Sequence, residues 1–186
     1  MANKSVTVGI LLAAGHSRRF GATDKLLATF RDKPLISHAA DTMKQAGLDY
    51  CIAVVSNEKV AKELSDFLLV KIDSTDQSNS LINGLKKARK LNANRLVIML
   101  ADMPFITPKI VKSVVGRCDE HTPAAASDGQ RRMPPVCFPK SFFERLTAIE
   151  GDFGAKAILK DIPENSTITV KENYLRDIDI LADLKM

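Results

Sequence analysis

The chain has 186 residues, 45% of them hydrophobic and 26% charged, with 9 glycines and 8 prolines. That is the size of one domain, residues 1–186, with enough apolar mass for a full core, and the balance excludes disordered, collagen-like and low-complexity chains. The 27 Lys and Arg against 22 Asp and Glu give a net charge of +5, compatible with nucleic acid or with small anionic substrates, so the placement of the charges has to decide.

The densest basic cluster, residues 86–90, shares its stretch with Leu81, Ile82, Leu85 and Leu91. Their three-to-four spacing makes the basic residues the solvated face of an amphipathic helix. With two Tyr, no Trp and no aromatic interleaving, the expectation is no nucleic-acid partner. The longest apolar stretch, residues 8–14, falls far short of the ~20 residues of a membrane span, and no charged-then-apolar leader precedes it. The expectation is therefore a cytoplasmic protein with no membrane partner. Cys51, Cys118 and Cys137 are odd in number, widely spaced and without a C-x-x-C pattern, which favours reduced thiols over a disulfide framework or a zinc site.

In chain order, residues 6–14 read as a buried strand that stops at Gly15, followed by a polar loop as far as Pro34. Leu35, Ile36, Ala39, Ala40 and Met43 then recur at helical spacing, with Pro before them and Gly47 after, as a helix requires. Residues 50–55 read as a strand, 58–67 as a helix, 68–72 as a short strand, 80–91 as the basic helix and 96–101 as another continuous apolar strand. Runs apolar on both faces, alternating with helices, are what a mostly parallel sheet covered on both sides requires, so the fold class is three-layer α/β. Thr107 and Pro108 open a helix to about Cys118, and residues 124–127 form a short strand. Ser141 and Glu144 have the spacing of a capping box ahead of Phe142, Leu146 and Ile149. A short helix over 155–159, a strand over 167–170 and a terminal helix over 180–184 complete the chain.

In open parallel sheets ligands bind beyond the carboxyl ends of the strands, and two polar segments follow apolar runs here. The first is the stretch from Leu12, Ala13, Ala14 and Gly15 through Ser17, Arg19 and Gly21 to Lys25. Small residues let backbone N–H groups approach a polyphosphate, and Arg19 and Lys25 can neutralise its charge, which makes an anion cradle. Neither the P-loop nor the dinucleotide fingerprint spacing is present. The second is Asp102, a carboxylate leaving a buried strand ahead of Met103 and Pro104, suited either to Mg²⁺ or to a turn. Ser80 can bond a base or ribose, or cap the basic helix. His16 and His38 read as spacer and helix residues, and Arg131 and Arg132 as a loop pair that could meet an acidic acceptor.

Together these segments resemble the molybdenum-cofactor nucleotidyltransferase family, whose members transfer CMP or GMP to molybdopterin. The opening loop matches the signature L-A-A-G-x-S-x-R-x-G…K through Gly15, Ser17, Arg19, Gly21 and Lys25, and residues 100–104 match L-x-D-M-P. Further matches are residues 78–81 with Gly84, Pro135-Val136 with Phe138, residues 151–155, and Asp177, Ile178 and Asp179 with Asp183 and Leu184. The resemblance implies a Rossmann-like fold of the nucleotide-diphospho-sugar transferase type. It implies triphosphate binding by the loop, phosphate contact by Lys25, and Mg²⁺ binding by Asp102 and by Asp179, with Asp177 as the competing choice. It assigns Arg19, Lys25 and Asp102 to catalysis and Pro135, Asp152 and Gly154 to the acceptor. Ala13-Ala14-Gly15 is similar to the cytidylyl branch and the Gly21-to-Lys25 spacing to the guanylyl branch, so the nucleotide implied is CTP or GTP, CTP being the first choice. The family has relatives acting on sugar phosphates or isoprenoid precursors, and a non-catalytic nucleotide-binding accessory protein for a molybdoenzyme is the alternative from another class. A molybdoenzyme or its chaperone is the protein partner implied.

Overall fold

The computed structural model describes residues 5–15, 20, 24–73, 76–149 and 158–185. A seven-stranded sheet is its centre. β1 (Thr7–Ala13) pairs in parallel with β4 (Tyr50–Val55) on one side and β6 (Arg95–Leu100) on the other. β5 (Leu68–Lys71) continues the parallel sheet beyond β4. Beyond β6 comes β8 (Arg132–Pro139), antiparallel to β6 and to β7 (Ala124–Ser127), and β9 (Thr167–Thr169) closes the far edge parallel to β7. The order is β5-β4-β1-β6-β8-β7-β9. A separate two-stranded hairpin, β2 (Thr29–Phe30) with β3 (Lys33–Pro34), lies within the stretch read as a polar loop.

Successive side chains of a strand point to opposite faces, and the central strands feed two cores. Val8 and Ile10 of β1, with Ile52, Val54, Leu96 and Ile98, pack under α3 (Gln77–Lys90) and α5 (Phe143–Thr147) through Leu81, Leu85, Phe143 and Leu146. Leu11 and Ala13, with Ala53, Val55, Val97 and Met99, pack under α1 (Leu35–Gln45), α2 (Glu58–Glu63) and α4 (Pro108–Arg117). The continuous apolar runs are thus strands buried on both faces, and the three layers follow. Gly84 lets α3 lie close to the sheet: a Cβ there would come within 2.9 Å of Ile10 and 3.1 Å of Val54.

Four local expectations are corrected. α3 begins at Gln77, capped by Asp76, whose side chain accepts from the Ser78 N–H; Ser80 is inside the helix and not its cap. The capping box at Ser141 does not form, because Ser141 Oγ donates to the Glu120 carbonyl while Glu144 pairs with Arg89, and a 3₁₀ turn over Lys140–Phe142 leads into α5. The helix expected over 58–67 stops at Glu63, and the terminal helix is a 3₁₀ turn over Leu181–Lys185. Of the helix expected over 155–159, residues 155–157 lie outside the described residues. Cys51, Cys118 and Cys137 are free thiols, the last two buried. No helix among the described residues is long and apolar enough to cross a membrane.

Candidate functional site

β1 and β6 end side by side, with Leu12 opposite Leu100, and the chain beyond both lies at the carboxyl edge of the sheet. A cleft of about 200 Å³ opens there, lined by Leu12 through Gly15, Lys25 and Leu26, Gln77 and Ser80, and Leu100 through Asp102. Parallel pairing produces this convergence, because strands that point the same way deliver their exit loops to one edge. Hydrogen bonds fix the rim: the Ala101 N–H donates to the Leu12 carbonyl at 3.1 Å, and Ser56 Oγ donates to the Ala14 carbonyl at 3.1 Å. Among the described residues, chain neighbours aside, no atom lies within 4 Å of where a Cβ at Gly15 would sit.

Lys25 opens a 3₁₀ turn over Lys25–Leu27 whose cap, Asp24, accepts from the Leu26 N–H and from Asn57 Nδ2 at 3.0 Å each. From there its ammonium reaches three oxygens: Asp102 Oδ2 at 2.7 Å, the Ile178 carbonyl at 3.1 Å and Asp179 Oδ1 at 3.2 Å. The Lys25 and Asp102 side chains are 14% and 21% exposed, so bulk water screens the pair weakly. Burial opposes the ammonium, but the charge and hydrogen bond of Asp102, reinforced by Asp179, hold the Lys25 pKa above its ordinary 10.5.

The last segment is anchored from below. Ile178 is fully buried with Phe20, Phe30 and Leu35, and its N–H donates to the Asp102 carbonyl at 2.9 Å. Asp183 Oδ2 accepts from the Asp179 and Ile180 N–H groups at 2.9 and 3.0 Å, bonds that hold the Asp183 carboxyl below its usual range. Asp179 thus points to Lys25, whereas Asp177 is exposed. Its carboxyl is nonetheless partly surrounded by protein, and that loss of hydration, with the charges of Asp179 and Asp102, pushes it above its ordinary pKa.

The structure brings together Leu12, Ala13, Ala14, Gly15, Lys25, Ser80, Asp102 and Asp179 of the residues singled out in the sequence. Ser80 is buried and donates to the Asp76 carbonyl at 3.0 Å. Ser17, Arg19, Gly21, Asp152 and Gly154 lie outside the described residues, and Pro135 is buried in β8 away from the cleft lining. Sequence reasoning missed Gln77, Leu26 and the Ile178 carbonyl. Gln77 could have been found from Asp76, an N-cap residue type ahead of the apolar period; a backbone carbonyl leaves no mark in side-chain pattern. The two loop arginines separate: exposed Arg131 pairs with Asp128 at 3.3 Å, whereas the Nε of Arg132 is buried and has no hydrogen-bond partner among the described residues. The register of β8 on β6, Arg95 opposite Pro139 and Ile98 opposite Val136, carries Arg132 to the carboxyl edge of β6.

Among the described residues no three His, Cys, Asp or Glu side chains form a metal-binding group. Two carboxylates converging on one cation are nevertheless what Mg²⁺ uses when substrate phosphates complete its shell, and the Lys25 ammonium shows that Asp102 and Asp179 can share a cation.

Comparison with known proteins agrees with this architecture. The chain is 26% identical to the purine catabolism protein PucB of Bacillus subtilis, over 96% of this chain and 94% of that protein. It is 32% identical to a probable molybdenum cofactor guanylyltransferase of Pyrococcus horikoshii, over 89% and 87%. The crystal structure of Rv0371c from Mycobacterium tuberculosis superposes with a TM-score of 0.83 at 23% identity, covering 98% of this chain and 97% of that one; its manganese complex gives 0.80. Residues 9–167 match the MobA-like NTP transferase domain, and with the strand order and the edge cleft this makes the chain a member of that nucleotidyltransferase family.

Proposed function

We propose that the protein transfers CMP or GMP from the nucleoside triphosphate to a phosphorylated acceptor, most closely a molybdopterin-like pterin phosphate, and releases pyrophosphate. The observation that carries this reading is the meeting of Lys25, Asp102 and Asp179 at the mouth of a cleft floored by Leu12 to Gly15. One anionic ligand with a divalent cation would satisfy that set of charges.

In this reading Leu12 to Gly15 and Ser80 receive the nucleoside, while Lys25, with Arg19 of the opening loop, neutralises the triphosphate. Asp102 and Asp179 would hold Mg²⁺, which supplies charge neutralisation on the phosphates when bound. An acceptor phosphate oxygen forms a bond to the α-phosphorus in line with the bond that breaks to the β-phosphate, and pyrophosphate leaves with that electron pair. The acceptor is already ionised at neutral pH, so the chain needs neither nucleophile nor general base; it positions two anions and offsets their repulsion. We assign Pro135, Asp152 and Gly154 to the acceptor on the resemblance and Arg132 on its place at the carboxyl edge of β6, and we leave Asp177 outside the metal set.

Purified protein with CTP, GTP, UTP or ATP and Mg²⁺ should release pyrophosphate with molybdopterin and not with sugar phosphates or isoprenoid precursors. Release with one of the latter acceptors would move the reading to that class. No release with any of them would leave a nucleotide-binding accessory protein.

A further inference from the structure

We propose that Lys25 is a built-in stand-in for the divalent cation, so that metal and triphosphate enter the site together and the metal does not enter first. This rests on the metal reading above and adds an order of binding to it. An ammonium has three N–H donors, and among the described residues Asp102 Oδ2, Asp179 Oδ1 and the Ile178 carbonyl accept from it at 2.7, 3.2 and 3.1 Å. These acceptors are two carboxylates and a carbonyl, the hard oxygens that a divalent cation of the Mg²⁺ or Mn²⁺ type prefers. The Ile178 carbonyl becomes a third protein ligand that side-chain patterns cannot reveal.

The backbone that carries these oxygens is held from behind, independently of the lysine. Ile178 is wholly buried and its N–H is bonded to the Asp102 carbonyl, while Asp183 clamps the N–H groups of Asp179 and Ile180. The cradle therefore outlasts the departure of the ammonium. A bare divalent cation arriving first has to displace a well-matched, weakly screened monovalent one and then sit a few ångströms from it, which costs much of its binding energy. A triphosphate offers the ammonium other oxygens, so nucleotide binding empties the cradle, and each ligand strengthens the other by linkage.

The test is a titration with Mn²⁺ alone, without nucleotide, following free aquo-Mn²⁺ by electron paramagnetic resonance. Lys25→Met removes the charge and keeps most of the stem, and it should bind Mn²⁺ at least ~10-fold more tightly than wild type. Adding Asp102→Asn to that variant should abolish the gain. Lys25→Gln, which retains a hydrogen-bonding tip, gives the same comparison if the methionine variant melts early. Equal Mn²⁺ affinity of wild type and the charge-removed variant overturns the proposal, as does a gain that survives Asp102→Asn. Pyrophosphate release by wild type tests the transferase reading separately: release without the affinity gain rejects the stand-in alone, and the gain without release rejects the activity alone.

Discussion

The two halves of the sheet are built by different rules. In β5, β4, β1 and β6 the strands are parallel, and they end together at the cleft. Beyond β6 the reversed strand β8, which carries Pro134, Pro135 and Pro139, is inserted between β6 and β7 and is antiparallel to both, with a register shift on β7 between Ala125 and Ala126. The parallel half delivers backbone and fixed charge to one edge, which suits the constant part of a reaction, the nucleotide and its metal. The antiparallel half brings half-buried Arg132, whose Nε has no hydrogen-bond partner among the described residues, to the same edge, which suits the part that differs between acceptors.

That division breaks most visibly if Asp102 is a turn residue. Asp102→Asn keeps the size and the turn but leaves the part-buried Lys25 ammonium with one carboxylate fewer, so it should stay folded and melt a few degrees below wild type, while Mg²⁺-dependent pyrophosphate release falls at least ~100-fold. A stable, fully active variant would remove the metal assignment. Lys25→Ala should cost at least ~10-fold in activity, since charge-assisted bonds are worth roughly 1.5–3 kcal/mol. The lysine also has a pH signature. Its pKa is raised in the folded chain, so its pairing stabilises fully below the ordinary 10.5 and is lost as pH rises through the higher folded value. Alkaline melting curves of wild type should therefore fall towards those of the alanine variant above pH 10.5.

Two glycines sharpen the comparison next. Gly84→Ala forces a methyl against Ile10 and Val54 and should destabilise by about 1–3 kcal/mol in urea unfolding. Gly15→Ala meets nothing among the described residues, so its stability should stay within ~0.5 kcal/mol of wild type, while nucleotide affinity falls about 10-fold because the methyl occupies the path of a phosphate. Equal nucleotide affinity in Gly15→Ala would take that loop out of the phosphate site.

The same contrast explains what the sequence made readable. A strand buried on both faces is a run of apolar residues, and β4 was found with its ends and β1 and β6 to within one residue at each end, as was Asp102 just beyond the last. β8 carries three prolines in eight residues and was invisible, because proline argues against a central strand. It survives because its neighbours supply packing on both faces: Val136 and Phe138 join one core and Cys137 the other. The resemblance implied Asp179 with Asp177 as the competing choice, and it is Asp179, in the turn that Asp183 closes, that reaches Lys25. The false capping box shows the converse. Ser141 and Glu144 have the right spacing, yet a carbonyl at Glu120 and a guanidinium at Arg89 compete for both side chains and win.

Arg132 tests the antiparallel half by itself. Arg132→Gln should raise the KM for a phosphorylated acceptor about 3- to 10-fold, the loss of one partly exposed charge-assisted bond, with the KM for the nucleotide unchanged. A matching rise in both constants would place the arginine on the nucleotide and undo the division between the halves.

The smallest effect concerns the base. Ala13 and Ala14 both line the cleft and are buried, Ala13 in the core under α1 and Ala14 in the core under α3. Guanine is larger than cytosine, and a methyl near the base penalises the larger ring more, so CTP should bind a few-fold better than GTP. Ala14→Gly enlarges the wall at that point and should narrow or reverse the preference, by less than the 10–200-fold that one methylene is worth in a closed pocket, because this cleft is open to water. Competition titrations of CTP and GTP on both proteins read the effect directly. Tighter GTP binding by the wild type, unchanged by Ala14→Gly, would mean that the base lies elsewhere along the edge, towards Gln77 and Ser80, and that the small residues of the loop serve the phosphates alone.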